Sequence, residues 1–281
     1  MFRRLSNSWE LVKASWRVLL ADKELMIFPL VAFLASLVVL ATFAVPTVLA
    51  GLLDSAVTNG DVGVFSYVVA FLFYVVMYSV TIFFNSALVG AAMIRLEGGD
   101  PTVRDGFRIA TSKFGNILGY AVIAATVGTI LRAISERSGS IGRFVVSLVG
   151  FAWNIATFLV VPVLVVENVG PIDAVKRSGR LLKETWGEQI AGNLSVSFIF
   201  GLITFGVILL GIPLVILAVM SGSVGLIVTA VALVIMLIML ISLVSSTLSG
   251  IYTAAVYRYA TTGDTGGYFE ADMVKDAFKL K

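Results

Sequence analysis

The sequence has no cysteine and no histidine among its 281 residues, and only 13% of them are charged. Without cysteine there is no disulfide and no thiolate metal site, and without histidine the commonest catalytic base and metal ligand is missing. Soluble proteins carry about 25% charged residues, so a chain that is 59% hydrophobic does not have the composition of a soluble domain. We therefore expect no metal, no cofactor and no enzymatic activity.

Six long apolar stretches run through the chain, and about 20 apolar residues of helix are enough to cross the hydrocarbon core of a bilayer. The weakest break between them, Ser221-Gly222-Ser223, carries no charge, but without it the last two stretches would fuse into a run too long for one crossing. We predict an all-α polytopic integral membrane protein with six transmembrane helices, at residues 26–51, 63–94, 114–134, 143–166, 190–220 and 224–257.

The positive charges lie on alternating sides of these spans. If the N-terminus is inside, seventeen of the twenty Lys and Arg residues are inside, and only Arg132, Arg137 and Arg143 are outside. The positive-inside rule then places both termini in the cytoplasm. The net charge of +3 lies beside apolar segments, so membrane lipids are the expected partner and nucleic acid is not. The N-terminal residues do not have the pattern of a cleaved signal peptide.

Three inside segments have the periodicity of an amphipathic helix. The first covers residues 1–24, the second starts at Asp100 as its cap, and the third starts at Pro171 in its first turn. In the first, basic residues lie off an apolar stripe of Phe2, Leu5, Trp9, Val12, Trp16 and Leu19. Each segment precedes two spans, which predicts three hairpins, each preceded by a cytoplasmic amphipathic helix. Shared physics explains this pattern as well as a true internal repeat does.

The basic residues of these helices are the first candidates for contact with lipid headgroups or with a protein partner. Ordinary topology signalling is the simpler explanation of the same charges. The candidates are Arg17, Arg108, Lys176, Arg177 and Arg180. The transmembrane domain is predicted over residues 25–260, and residues 261–281 are predicted to be a cytoplasmic tail, in which Gly263–Gly267 is a flexible turn before a short amphipathic helix with Phe269, Met273 and Phe278.

Residues 167–178, with the sequence E-N-V-G-P-I-D-A-V-K-R-S, are followed by Trp186-Gly187. This motif resembles the signature of a loose group of prokaryotic six-span membrane proteins of unknown function. It is also similar to the membrane domain attached to some glycerophosphodiester phosphodiesterases. The resemblance covers most of the chain and implies a prokaryotic membrane protein without an established activity. The chain has no room for a soluble phosphodiesterase domain, so that enzyme's chemistry is not carried over.

Polar side chains are rare within the spans, and no ionisable residue lies well inside them, which argues against a proton-coupled or ion-coupled transporter. Asn85, Asn154 and Asn193 are the strongest polar positions, and we expect them to form hydrogen bonds between helices. Prolines within the spans remove a backbone hydrogen bond and favour kinks, at Pro46, Pro162 and Pro213. Small residues at intervals of four predict close helix packing, at Ser242, Ser246 and Gly250.

These features favour a non-enzymatic membrane protein that interacts with lipid or acts as a scaffold in the cytoplasmic membrane. The alternative is a transporter, channel or lipid-translocating protein with a pathway between kinked spans. A polar cavity or lateral groove lined by the three asparagines would favour that alternative. A membrane-protein partner and a homo-oligomer are both compatible with the sequence.

Overall fold

The computed structural model describes residues 2–49, 64–186, 195–270 and 274, and the regular secondary structure of these residues is entirely helical. The predicted all-α class is therefore confirmed. A short 3-10 turn, Lys23–Met26, separates the first two helices. The helices are α1 Phe2–Ala21, α2 Ile27–Leu49, α3 Val64–Leu96, α4 Val103–Ser112, α5 Phe114–Arg137, α6 Ser140–Ala156, α7 Val160–Val166, α8 Pro171–Trp186, α9 Ser195–Met220 and α10 Val224–Thr262.

Six segments are long and apolar enough to cross a membrane, as predicted. Their apolar windows occupy Lys23–Pro46, Tyr67–Leu96, Phe114–Arg137, Ser140–Val166, Ile199–Met220 and Val224–Thr262. The uncharged break before the last of them is a real turn. Gly222 there has a φ of +69°, which favours glycine, and the Ser223 side chain accepts the Leu226 N–H at the start of α10.

The fourth of these segments is interrupted, because α6 ends at Ala156 and α7 begins at Val160. Pro162 explains the position of the break, since a proline lacks an N–H and its ring clashes with the carbonyl of the residue four positions earlier. Pro46 and Pro213 lie inside helices that continue past them. Of the three predicted kinks, only the one at Pro162 coincides with an interruption of the helix.

The chain forms two compact units. The first contains Met1–Met26, Ala92–Asp100 and Trp186–Lys281, and the second contains Ile27–Ala91 and Pro101–Thr185. In the first unit α9 and α10 pack together after their three-residue turn, and α1 packs against both. The predicted grouping into three hairpins with three interfacial helices stays a prediction.

In the first unit, the chain after α10 packs against the end of α3. The Gly266 backbone has a φ of +74°, and a Cβ on it would lie 2.3 Å from the Leu96 carbonyl oxygen, so only glycine fits there. The Arg258 guanidinium is 2.7 Å from the Asp264 carboxylate and holds the pKa of Asp264 below its usual range. Contrary to the expectation of a flexible turn, residues 263–267 are fixed by packing and by an ion pair.

Asp22 follows α1 in the same unit. One carboxylate oxygen accepts the Glu24 N–H at 3.2 Å, and the other is buried without a hydrogen-bond partner in the described part of the chain. Burial raises the pKa of Asp22, because a charged carboxylate loses its hydration there. Arg95, which donates to the Ala21 carbonyl at 3.2 Å, partly opposes this effect.

In the second unit, α4 begins two residues later than predicted. Its cap is Thr102 and not Asp100, because Thr102 and Asp105 form a reciprocal capping box that satisfies two backbone N–H groups. The hydrogen bonds from Thr102 lower the pKa of Asp105. Gly106 lies directly against the Phe28 ring, which a Cβ would approach to 2.4 Å.

Candidate functional site

The exposed face of α1 carries aromatic and basic side chains. Trp9 and Trp16, which belong to the predicted apolar stripe, are 49% and 42% exposed. The buried face consists of Leu11, Val12, Ala14, Ser15, Val18 and Leu19. Small and aliphatic side chains let α1 approach α9 and α10 closely, whereas two indole rings would hold the helices apart. Trp9 and Trp16 therefore share one side of α1 with Lys13 and Arg17, which corrects the expectation of aromatic and basic residues on opposite sides.

A groove of about 690 Å³ lies along this exposed face of α1. Its volume falls within the range of about 300–1,000 Å³ that is usual for ligand pockets. One wall comes from the spans, with apolar side chains one turn apart on each: Phe200 and Ile203 on α9, and Val244 and Leu248 on α10. The other wall comes from Trp9, Val12 and Trp16 of α1. We call this cleft the α1 groove.

Among the described residues, four charged side chains also line the α1 groove, and we call them the charged rim: Glu10, Lys13, Arg17 and Glu270. The first three follow one another at helical spacing on α1, and the Lys13 ammonium is 2.8 Å from the Glu10 carboxylate. The Arg17 guanidinium donates a hydrogen bond of 2.9 Å to the Tyr268 carbonyl. This contact joins α1 to the segment that carries Glu270. The α1 groove therefore combines an apolar wall with a rim of two cations and two carboxylates.

Of the residues that line this groove, only Arg17 was among the contact candidates predicted from the sequence. The fully apolar spans gave no signal, because side chains that face lipid and side chains that face protein are equally hydrophobic there. The exposed Trp9 and Trp16 were visible as aromatic residues next to basic ones, a composition that is typical of a membrane interface.

The 167–178 motif has a structural explanation within the second unit. Glu167 and Arg177 form an ion pair at 3.1 Å. The Asn116 side chain donates to the Val169 carbonyl at 3.1 Å, and Gly119 leaves room for the Pro171 ring. Pro171 begins α8, as predicted. These contacts hold the start of α8 against α5.

Ser178, the last residue of the motif, supplies a hydrogen-bond acceptor at the break in the fourth span. Its Oγ accepts a hydrogen bond of 3.0 Å from the Leu159 N–H, in a buried position. Leu159 lies between α6 and α7, where the proline-induced break leaves its N–H without the normal helical acceptor. The motif residues therefore stabilise a local fold.

The other four basic candidates lie in the second unit. Arg108 pairs with Asp105 at 2.8 Å, Lys176 pairs with Asp173 at 3.5 Å, and Arg177 pairs with Glu167. Arg108, Lys176 and Arg180 are exposed, whereas Arg177 is half-buried. None of them lines the α1 groove. Their contact with headgroups stays a prediction.

The predicted intramembrane positions that the structure describes lie outside the α1 groove. Asn85 is half-buried and Asn154 is exposed, both in the second unit, and neither lines the α1 groove. Asn193 lies outside the described residues. Of the predicted packing residues, Gly250 is buried, but Ser242 and Ser246 are exposed. A pathway lined by the three asparagines stays a prediction.

Comparison with known protein families identifies one match, to the Family of unknown function (DUF6159), over residues 64–268. This match covers more than half of the chain. The chain belongs to this family. No curated protein and no solved structure matches it. The likeness to the membrane domain of glycerophosphodiester phosphodiesterases thus rests on the 167–178 motif alone.

The match includes the span residues that form the apolar wall of the α1 groove but not α1 itself. Phe200, Ile203, Val244 and Leu248 all fall inside the matched range, whereas the two tryptophans and three rim residues precede it. The α1 groove is therefore formed by spans within the matched range together with a helix that precedes that range.

Proposed function

We propose that this protein is a non-enzymatic multi-pass protein of a prokaryotic cytoplasmic membrane, and that it interacts with phospholipid through the α1 groove. The observation that carries this proposal is the combination of an apolar wall on two spans with a charged rim on α1 and the segment after α10. The apolar wall suits a lipid acyl chain, and the charged rim suits a lipid headgroup.

The position of the groove along the spans supports a headgroup near its rim. Phe200 and Ile203 lie in the first half of α9, and Val244 and Leu248 lie in the second half of α10. These halves are the ones that the positive-inside rule assigns to the cytoplasmic side. Two exposed tryptophans at the same level fit the boundary between headgroups and hydrocarbon, where indole rings are enriched.

Blocking the apolar wall tests the proposal directly. Ile203→Trp adds bulk to the α1 groove, and we expect it to reduce the amount of phospholipid that copurifies with the protein in mild detergent by at least about fivefold, equivalent to about 1 kcal/mol. Leu209→Trp is the matched control, because Leu209 is exposed on the same helix and does not line the groove. Native mass spectrometry measures the bound lipid. Equal retention by both variants would contradict the proposal.

The proposed orientation has its own test, which exploits the absence of cysteine from the chain. We expect Thr58→Cys and Gly139→Cys to react with an impermeant maleimide added outside intact cells, and Lys183→Cys to react only after permeabilisation. Lys183 is exposed on α8, so lack of reaction there does not come from burial. The reverse labelling pattern would invert the topology.

A further inference from the structure

We propose that the α1 groove selects a zwitterionic aminophospholipid, whose headgroup carries one phosphate and one primary ammonium. This inference rests on the proposed function and adds the headgroup class. It follows from the charged rim, in which Lys13 and Arg17 offset Glu10 and Glu270. A rim whose described residues carry no net charge gives no overall attraction to an anionic lipid, but its separate charges complement both ends of a zwitterion.

The acyl chains of a phospholipid cannot account for this headgroup selectivity. Inside a bilayer, an acyl chain leaves one apolar environment for another when it enters the groove, so its transfer gains little. Phe200 and Ile203 would seat a chain of any common phospholipid equally well. Discrimination between lipids must therefore come from the rim.

The cations of the rim suit the phosphate. Arg17 is held by its hydrogen bond to the Tyr268 carbonyl, and a guanidinium keeps further N–H donors in a fork that matches phosphate oxygens. Lys13 pairs with Glu10, but both side chains are about half exposed, and such pairs exchange partners at little cost. Lys13 is therefore available to a second anionic group.

The carboxylates and the tryptophans suit the ammonium. A primary ammonium has three hydrogen-bond donors for the carboxylates of Glu10 and Glu270, and the faces of Trp9 and Trp16 attract a cation. A choline headgroup keeps the attraction to the indole rings but has no N–H to donate. A glycerol headgroup has no cationic group, so only its negatively charged phosphate lies near the two carboxylates. The expected order is therefore ethanolamine first, with choline and glycerol weaker.

Lipid titration of the full-length protein in detergent tests this order. Native mass spectrometry is used to compare phosphatidylethanolamine, phosphatidylcholine and phosphatidylglycerol with identical acyl chains. We expect phosphatidylethanolamine to bind about fivefold more tightly than either of the others, the effect of about one charged contact near a membrane surface. The double variant Glu10→Gln and Glu270→Gln should abolish this preference and strengthen the binding of phosphatidylglycerol. Glu184→Gln is the control, because Glu184 is exposed outside the groove.

The outcomes separate this inference from the proposed function. If wild-type protein binds phosphatidylglycerol as tightly as phosphatidylethanolamine, while Ile203→Trp still removes the bound lipid, the headgroup assignment is wrong and the lipid site stands. If Ile203→Trp leaves all lipid binding unchanged, both are wrong. If it converts a dimer to a monomer without affecting lipid, the groove holds a second copy of the chain and the inference is overturned. The wild-type order requires no variant, so a variant that fails to fold does not obscure it.

Discussion

The hydrogen bond that the Leu159 N–H donates to Ser178, at the break in the fourth span, can be tested by removing a single oxygen atom. Ser178→Ala deletes the Oγ that accepts the Leu159 N–H at 3.0 Å and leaves the rest of the packing in place. Ser178 is fully buried, so water cannot replace the lost acceptor. An unsatisfied buried N–H costs about 1–3 kcal/mol, and we expect the free energy of unfolding to fall by that amount.

Ser86 provides the matched control within the same unit. It is equally buried, but its Oγ has no hydrogen-bond partner among the described residues. Ser86→Ala therefore removes an unsatisfied polar atom and should leave stability unchanged or raise it. Reversible unfolding of both variants in mixed micelles of SDS and a mild detergent, followed by circular dichroism, gives the two free energies. Equal effects of the two substitutions would refute the assigned role of Ser178.

Four further substitutions, one of them a control, test the local structure by the same unfolding assay. Thr102→Ala should cost about 1 kcal/mol, because it removes the cap of α4, and no loss would place the helix start elsewhere. Gly106→Ala should cost about 1–3 kcal/mol by overpacking against Phe28, whereas Gly115→Ala, which meets nothing within 4 Å, should be neutral or stabilising. Asp22→Asn should stabilise the protein at neutral pH. Burial raises the pKa of Asp22 in the folded protein, so the wild type loses stability as the pH rises through that raised pKa. That gain should vanish below the unfolded pKa of about 3.9, and a gain independent of pH would contradict the argument.

The parts of this fold that follow from hydropathy were predictable. Six spans and the turn at Ser221-Gly222-Ser223 follow from the length that a bilayer imposes. The start of α8 at Pro171 followed from local chemistry, since it depends on residues close in sequence. These features need no knowledge of which helices are neighbours.

The α1 groove was not predictable in the same way. Its apolar wall depends on which sides of α9 and α10 turn toward α1, and a uniformly apolar span carries no periodic pattern that distinguishes its sides. In α1, the apolar stripe predicted from the sequence joins the exposed Trp9 and Trp16 to the buried Val12 and Leu19, because an indole ring is apolar enough to belong to such a stripe and polar enough to lie at an interface. The cap of α4 was placed at Asp100 because Asp100 and Thr102 are both good caps, and only the reciprocal bond from Asp105 decides between them.

The contact between Arg17 and the Tyr268 carbonyl joins residues that are 251 positions apart in the chain. During synthesis, α1 is made before the six spans, and Tyr268 and Glu270 are made after them. A nascent chain that stopped at Thr262 would hold every membrane segment yet would lack one carboxylate of the rim and the anchor of Arg17. Completion of the α1 groove therefore requires synthesis to continue past the last span.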